Sequence, residues 1–210
     1  MNSAQQILRD VFGYGEFRSG QEEVIETLAS GQSVLAVMPT GAGKSICYQI
    51  PAVMADRLTV VVSPLLALMD DQVAALRTNG VDVACIHSGH SREQNIAEWR
   101  RVQDGAKLLY LSPERLMTER MLAAISAIQP AMFVVDEAHC ISKWGASFRP
   151  DYEHLSRLPD LFPESAVAAF TATADKATRD DIAEKLFRGH GRIVVHGFDA
   201  DTVERTADEL

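Results

Sequence analysis

Short runs of apolar, often β-branched residues recur along this chain, separated by segments whose apolar positions follow helical spacing. The runs at 34–38, 58–63, 83–87, 107–112, 132–136, 167–171 and 193–196 each predict a strand. Between them, Leu65, Met69, Val73 and Leu76 mark a helix over 65–77. A second, over 91–102, opens with a Ser-x-x-Gln capping box at Ser91 and Gln94. Further helices are predicted over 121–128, from Met121, Leu122, Ile125 and Ile128, and over 175–187, from Ile182 and Leu186. Upstream, a short helix over 4–12 leads into Phe12-Gly13-Tyr14-Gly15-Glu16-Phe17-Arg18-Ser19-Gly20-Gln21, whose glycines predict an ordered loop bearing aromatic and amide groups. A helix over 21–29 then ends near Gly31, a suitable C-cap. Continuous apolar strands alternating with helices predict an α/β fold, a mainly parallel central sheet with helices on both faces. The even strand spacing reflects βα units, not a sequence repeat.

Ligand loops in such sheets gather at the carboxyl ends of the strands. Those ends read Pro39 to Ser45, Ser63-Pro64-Leu65, Ser88-Gly89-His90, Ser112-Pro113-Glu114, Asp136-Glu137-Ala138-His139 and Thr171-Ala172-Thr173. A purely structural domain does not need so many small polar and charged residues there. The first end, Met38-Pro39-Thr40-Gly41-Ala42-Gly43-Lys44-Ser45, matches a phosphate-binding loop except for Met38 in place of its first glycine. Gly41 and Gly43 allow the sharp turn that aims backbone N–H groups at a polyphosphate. Lys44 supplies a cation for the outer phosphates, and Ser45 a hydroxyl for Mg²⁺. Asp136 and Glu137 arrive at the same rim from another strand: the first suits Mg²⁺, the second a general base for water. The structural alternatives are a glycine turn before an ordinary helix and a carboxylate pair capping the next one.

Composition narrows the class. The chain has 210 residues, 47% of them hydrophobic, enough for one core. No apolar run approaches membrane-spanning length and no signal pattern opens the chain, so a cytoplasmic protein with no membrane partner is expected. Cys47, Cys85 and Cys140 are too few and too widely spaced for a zinc ligand set or disulfide framework, and are read as buried thiols. A net charge of −9 argues against nucleic-acid binding through bulk charge while leaving a local site open.

Taken together, these motifs resemble the first motor domain of superfamily 2 helicases of the DExH type, and within it RecQ helicases. The resemblance rests on Phe12-Gly13-Tyr14, Phe17-Arg18 and Gln21, Met38 to Gly41, Lys44-Ser45, Cys47-Tyr48-Gln49-Ile50-Pro51 and Val62-Ser63-Pro64-Leu65. It continues through Leu109-Tyr110, Pro113 to Leu116, Asp136 to Ser142, Trp144-Gly145, Phe148 to Tyr152 and Thr171 to Ala174. It implies a RecA-like P-loop domain over 1–197, with an adenine-recognition segment at 8–21 and a polar tail or truncated linker at 198–210. Tyr14 and Arg18 would sandwich adenine and Gln21 would read its edge. Thr40, Gly41, Ala42, Gly43, Lys44 and Ser45 would hold the phosphates of ATP, and Ser45 and Asp136 the Mg²⁺. Lys44, Asp136, Glu137 and His139 would act in hydrolysis, with Thr171 and Thr173 linking the nucleotide to strand movement. Lys44 and Asp136 are expected to meet across neighbouring strand tips.

DNA, single-stranded or partly duplex, is the implied partner. Ser63, Pro64, Ser112 and Pro113 would contact its phosphates, and Trp144, Phe148 and Arg149 would engage it through an aromatic-rich loop. That loop usually reads Gln-Trp-Gly-His-Asp-Phe in the family; here Lys143, Ala146 and Ser147 replace Gln, His and Asp. Trp99, with Ile96 three residues before it, is read as core. Such helicases use a second RecA-like domain whose arginines complete the site, and none follows Thr171 to Ala174 in this sequence. Where Arg-Pro-Asn is expected after Gly197-Phe198-Asp199, the chain reads Ala200-Asp201-Thr202. The expectation is a motor half with weak or no activity alone. The other readings are a nucleotide-dependent DNA-binding module without turnover, and a P-loop ATPase unconnected with nucleic acids.

Overall fold

A computed structural model describes residues 3–144 and 147–196. Gly145, Ala146 and the polar tail from residue 197 lie outside the described residues. The chain opens with helices α1 (Ala4–Asp10) and α2 (Gln21–Ala29), then alternates strand and helix: β1 (Val34–Val37), α3 (Lys44–Met54), β2 (Thr59–Val62), α4 (Leu66–Thr78), β3 (Val83–Ile86), α5 (Arg92–Gln103) and β4 (Leu108–Leu111). It continues through α6 (Pro113–Leu116), α7 (Glu119–Ile128), β5 (Met132–Val135), a 3₁₀ turn at Ala138–Ile141 and α8 (Pro150–Glu153). A second 3₁₀ turn at His154–Arg157 leads to α9 (Leu158–Leu161), β6 (Ala166–Thr171), α10 (Lys176–Phe187) and β7 (Arg192–Val195).

The strands form one parallel sheet in the order β3-β4-β2-β5-β6-β1-β7. Its two faces follow the period-two alternation of side chains. Val34 and Ala36 join one core with Val61, Val134 and Phe170, covered by α1 to α4. Leu35 and Val37 join the other with Val60, Phe133 and Val135, covered by α5 to α10. From β3 across to β1 every strand residue is buried on both faces, which is why those strands read as unbroken apolar runs; at the edge strand β7 only Val194 is buried.

Six of the seven predicted strands run one residue too far at the carboxyl end, for one physical reason. The last ladder bond is donated by the residue after the strand: Met38 N–H to Thr171 O (3.0 Å), Ser63 N–H to Leu111 O (3.2 Å) and Asp136 N–H to Val62 O (2.9 Å). Those residues are tied to the sheet through their N–H while their carbonyls turn into the loop. Among the helices, the box at Ser91 and Gln94 is present, and Thr118 caps α7, which begins two residues before the predicted start. Asp175 caps α10. Gly31, at φ +80°, follows the C-cap of α2. Trp99 is half-buried against the core, but Ile96 is exposed and does not share its packing.

Candidate nucleotide site

Parallel strands bring every strand-end loop to one edge of the sheet. The glycine-rich loop leaves β1 through Gly41 (φ +84°) and Gly43 (φ +78°), left-handed conformations that favour glycine. Gly43 is also the N-cap of α3, so the first free N–H groups of an 11-residue helix face the loop. A Cβ at Gly43 would lie 2.5 Å from Gln21 Nε2. That contact has a purpose: Gln21 Nε2 donates to the carbonyls of Ala42 (3.1 Å) and Gly43 (3.2 Å), while its Oε1 accepts from Arg18 N–H (2.8 Å). The Arg18 guanidinium donates to Gly41 O. The segment predicted to read adenine is thereby fastened to the phosphate loop, with Tyr14 beside it half-exposed. Gln21 itself is buried, its amide engaged at both ends. Lys44 Nζ donates to Met38 O at 3.3 Å.

Asp136 and Glu137 leave β5 at the same edge. Strand β6 stands between β5 and β1, so Lys44 and Asp136 approach across an intervening strand and not across adjacent tips. The charge of Lys44 still reaches Asp136. Burial and the neighbouring Glu137 carboxylate raise the Asp136 pKa to about 6, and the Glu137 N–H, Lys44 and Ser63 each pull it partway back. Asp136 Oδ1 accepts from Glu137 N–H at 3.0 Å, and its carbonyl accepts from the buried Tyr152 hydroxyl at 2.9 Å. Glu137 is a non-glycine residue at φ +50°, a strained conformation that turns its carboxylate out of the strand line. His139 Nδ1 lies 2.9 Å from Thr171 Oγ1 and 3.3 Å from Glu137 Oε2. Thr171 Oγ1 in turn donates to Thr173 O at 3.0 Å. His139 is thus hydrogen-bonded to the strand end at Thr171 and lies within ion-pairing distance of Glu137.

Two oxygen donors of differing exposure, the buried Asp136 carboxylate and the Ser45 hydroxyl in the first turn of α3, suit Mg²⁺, an ion that takes oxygen ligands and retains water. The buried carboxyl, held above its ordinary range with a second acid beside it, is a place where a dication relieves like-charge repulsion.

The residues predicted to meet DNA are more dispersed. Trp144 is the most exposed large hydrophobic residue among those described, at 76%. Phe148 is half-buried beneath Lys143, whose Nζ sits 5.9 Å from the ring centroid and pairs with Glu153 at 2.6 Å. Arg149 is exposed. By contrast Ser63, Ser112 and Pro113 are buried and Pro64 is half-buried. The Ser112 hydroxyl donates to Glu114, and Ser63 lies against Asp136 without a well-formed hydrogen bond of its own. Just beyond the β2 tip the exposed groups are Leu65 and Leu68, and beyond the β4 tip Glu114.

Pattern reading missed a buried polar cluster behind the site. The Tyr48 hydroxyl of α3 (2.7 Å) and the Tyr110 hydroxyl of β4 (3.0 Å) both donate to Gln72 Oε1 of α4, and Gln49 Nε2 donates to Tyr110 (3.2 Å). Each residue reads as an ordinary member of its own element; only the fold brings them together.

A family described as DEAD/DEAH box helicase matches residues 18–182 of this chain. The chain belongs to the DEAD/DEAH box helicases. Among curated members, the ATP-dependent DNA helicase RecQ of Haemophilus influenzae is 44% identical over 208 residues, 99% of this chain and 34% of that protein. RecQ of Bacillus subtilis is 40% identical over 206 residues, covering 97% and 35% of the two chains. The present chain thus spans about a third of these relatives' length. A crystal structure titled a hypothetical ATP-dependent RNA helicase from Sulfolobus tokodaii superimposes with a TM-score of 0.72 at 20% identity, over 92% of this chain and 57% of that one. That likeness concerns the fold, the RecA-like sheet of this helicase family.

Proposed function

We propose that this DEAD/DEAH box chain is the N-terminal motor half of a RecQ-type DNA helicase, which binds ATP with Mg²⁺ and contributes its hydrolysis to strand separation. The observation that carries the reading is the convergence of Lys44, Asp136, Glu137 and His139 at one sheet edge, with Thr171 bonded to His139. In this reading Tyr14 and Arg18 hold adenine, the Gly41 to Ser45 backbone holds the phosphates, and Lys44 moves from Met38 O to the outer phosphates. Ser45 and Asp136 would hold Mg²⁺, which would supply the positive charge that the phosphate oxygens require. Glu137 orients the attacking water and accepts its proton. His139 then reports the state of Glu137 to Thr171 and Thr173, which begin the segment leading away from the site. The exposed Trp144 stacks on a single-stranded base.

A second RecA-like domain, in cis or in trans, supplies arginines for the developing charge, a contribution on the order of 10³-fold or more. The test is ATP turnover by this chain, with and without single-stranded DNA, alone and with a RecQ second half added. Turnover that rises with both additions and vanishes in Lys44→Ala supports the reading. Turnover indifferent to DNA in every combination would favour a P-loop ATPase without a nucleic-acid partner. ATP-dependent DNA binding without turnover, even when completed, would make it a binding module.

A further inference from the structure

One strand-end loop, Ser88-Gly89-His90 after β3, takes no part in the nucleotide site. It folds back so that His87 and His90 stand beside Cys85 of β3 and Asp70 of α4. Asp70 Oδ1 is the centre of the group, with His87 Nε2 at 3.0 Å, His90 Nε2 at 3.6 Å and Cys85 Sγ at 4.0 Å. The donor atoms of Asp70, Cys85 and His87 all lie within 4.8 Å of one another. The two imidazoles stack with centroids 3.9 Å apart. We propose that Asp70, Cys85, His87 and His90 form a site for Zn²⁺ or a similar borderline transition-metal ion, clamping the β3 loop to α4.

Ligand chemistry selects the ion. A thiolate, two imidazoles and one carboxylate suit zinc, whereas magnesium prefers oxygen alone. With bonds of about 2.0–2.3 Å, tetrahedral donors lie roughly 3.3–3.8 Å apart. Asp70, Cys85 and His87 therefore need to contract by up to about 1.5 Å, and His90, whose Nε2 lies 3.6 Å from Asp70 Oδ1 but outside that group of three, must swing further to complete the set. Burial and the Asp70 carboxylate hold the Cys85 thiol up to about 12, so the ion must displace its proton to solvent; the resulting thiolate and the carboxylate then neutralise a dication. Asp70 is half-exposed and lines, with Cys85, His90 and Glu98, an open cavity of about 290 Å³, which gives an ion its way in.

Without metal, a proton fills part of the ion's role. His87 Nδ1 accepts the Gly89 N–H at 3.1 Å, so Nε2 carries the proton and donates it to Asp70. Metal at Nε2 shifts that proton to Nδ1, and the Gly89 peptide must then turn its N–H away. Gly89 has the freedom to do so: it has no Cβ, which would sit 3.0 Å from His87 Nδ1. A separate observation points the same way. His90 Nδ1 and Asn95 Oδ1 are both buried with no hydrogen-bond partner, although Asn95 Nδ2 donates to the carbonyls of His87 (3.1 Å) and His90 (3.4 Å). Metal on His90 Nε2 fixes a proton on Nδ1, creating a buried donor beside helix α5, whose Asn95 Oδ1 is a buried acceptor without a partner. Such carbonyl-supported imidazoles are the usual outer shell of zinc sites.

Titration with Co²⁺ in excess Mg²⁺, which occupies the oxygen-rich nucleotide site, tests the assignment. The expected result is one equivalent of Co²⁺ bound with a thiolate-to-cobalt charge-transfer band in the near ultraviolet, displaced by Zn²⁺. Cys85→Ser should lose the band and Cys140→Ser should keep it. His90→Ala, at a partly exposed loop position that leaves the core intact, should weaken Zn²⁺ by about 100-fold or more in competition with a chelating indicator. Absence of the band at saturating Co²⁺, or unchanged Zn²⁺ affinity in folded His90→Ala, overturns the proposal.

Discussion

Asp136 shows how a single side chain carries the cost of its position. Its carboxyl has a pKa of about 6 against 3.8 unperturbed, because burial and Glu137 disfavour the charged form more than Lys44 and the Glu137 N–H favour it. A carboxyl raised in the folded state costs stability when ionised: the full cost stands above pH 6, fades between 6 and 3.8, and is absent below. The shift corresponds to at most about 3 kcal/mol. In the absence of Mg²⁺ and nucleotide, Asp136→Asn should therefore be more stable than the parent at pH 8, by on the order of 1–3 kcal/mol, with the gain shrinking towards pH 4. Urea unfolding at both pH values measures this, and an equal difference at the two would show that the strain lies elsewhere. Gly43 poses the complementary case, in which backbone and contact both demand glycine. Gly43→Ala should cost about 1–3 kcal/mol and weaken ATP binding. Adding Gln21→Ala should recover the steric part, from the 2.5 Å approach to Nε2, but leave the part due to φ +78°.

Elements were legible in the sequence where length and period sufficed. All seven strands could be read from their apolar runs, six because they are buried on both faces and the edge strand β7, largely exposed, through Ile193, Val194 and Val195 alone, while the long helices could be read from their apolar spacing. Short turns escaped: Pro113–Leu116, Ala138–Ile141 and the succession from Pro150 to Leu161 have too few residues for a period to register. The lateral order of the strands is also not a local property, which is why β6 between β1 and β5 was not foreseen. The phosphate loop and the carboxylate pair were legible because their chemistry is written in consecutive residues. The cluster of Tyr48, Gln49, Gln72 and Tyr110 was not, since it draws on three elements that meet only after folding. Tyr110 is buried and both donates to Gln72 and is held by Gln49. Tyr110→Phe strands the Gln49 amide, so a loss of about 1–3 kcal/mol is expected by chemical unfolding. Tyr14→Phe, at a half-exposed ring with no such partner network, should fall within about 0.5 kcal/mol of the parent.

The molecule as a whole is acidic, at a net charge of −9, and yet is proposed to hold DNA. Charge and contact are reconciled if the strand is gripped through base stacking and not through phosphate neutralisation. Each neutralised phosphate on a single strand adds about 0.7 to the slope of log affinity against log salt. In the loop sequence that carries Trp144 the described cations are Lys143, already paired with Glu153 at 2.6 Å, and the exposed Arg149. One or two phosphates are then neutralised, which predicts a slope of magnitude about 1, shallow for a DNA-binding protein. Quenching of Trp144 fluorescence by oligothymidylate across a salt series reads both quantities. The signal should disappear in Trp144→Ala, persist in Trp99→Phe, and lose about half its salt dependence in Arg149→Gln. A slope of about 4 or more would mean that a larger cationic surface holds the strand and that the exposed indole is incidental to it.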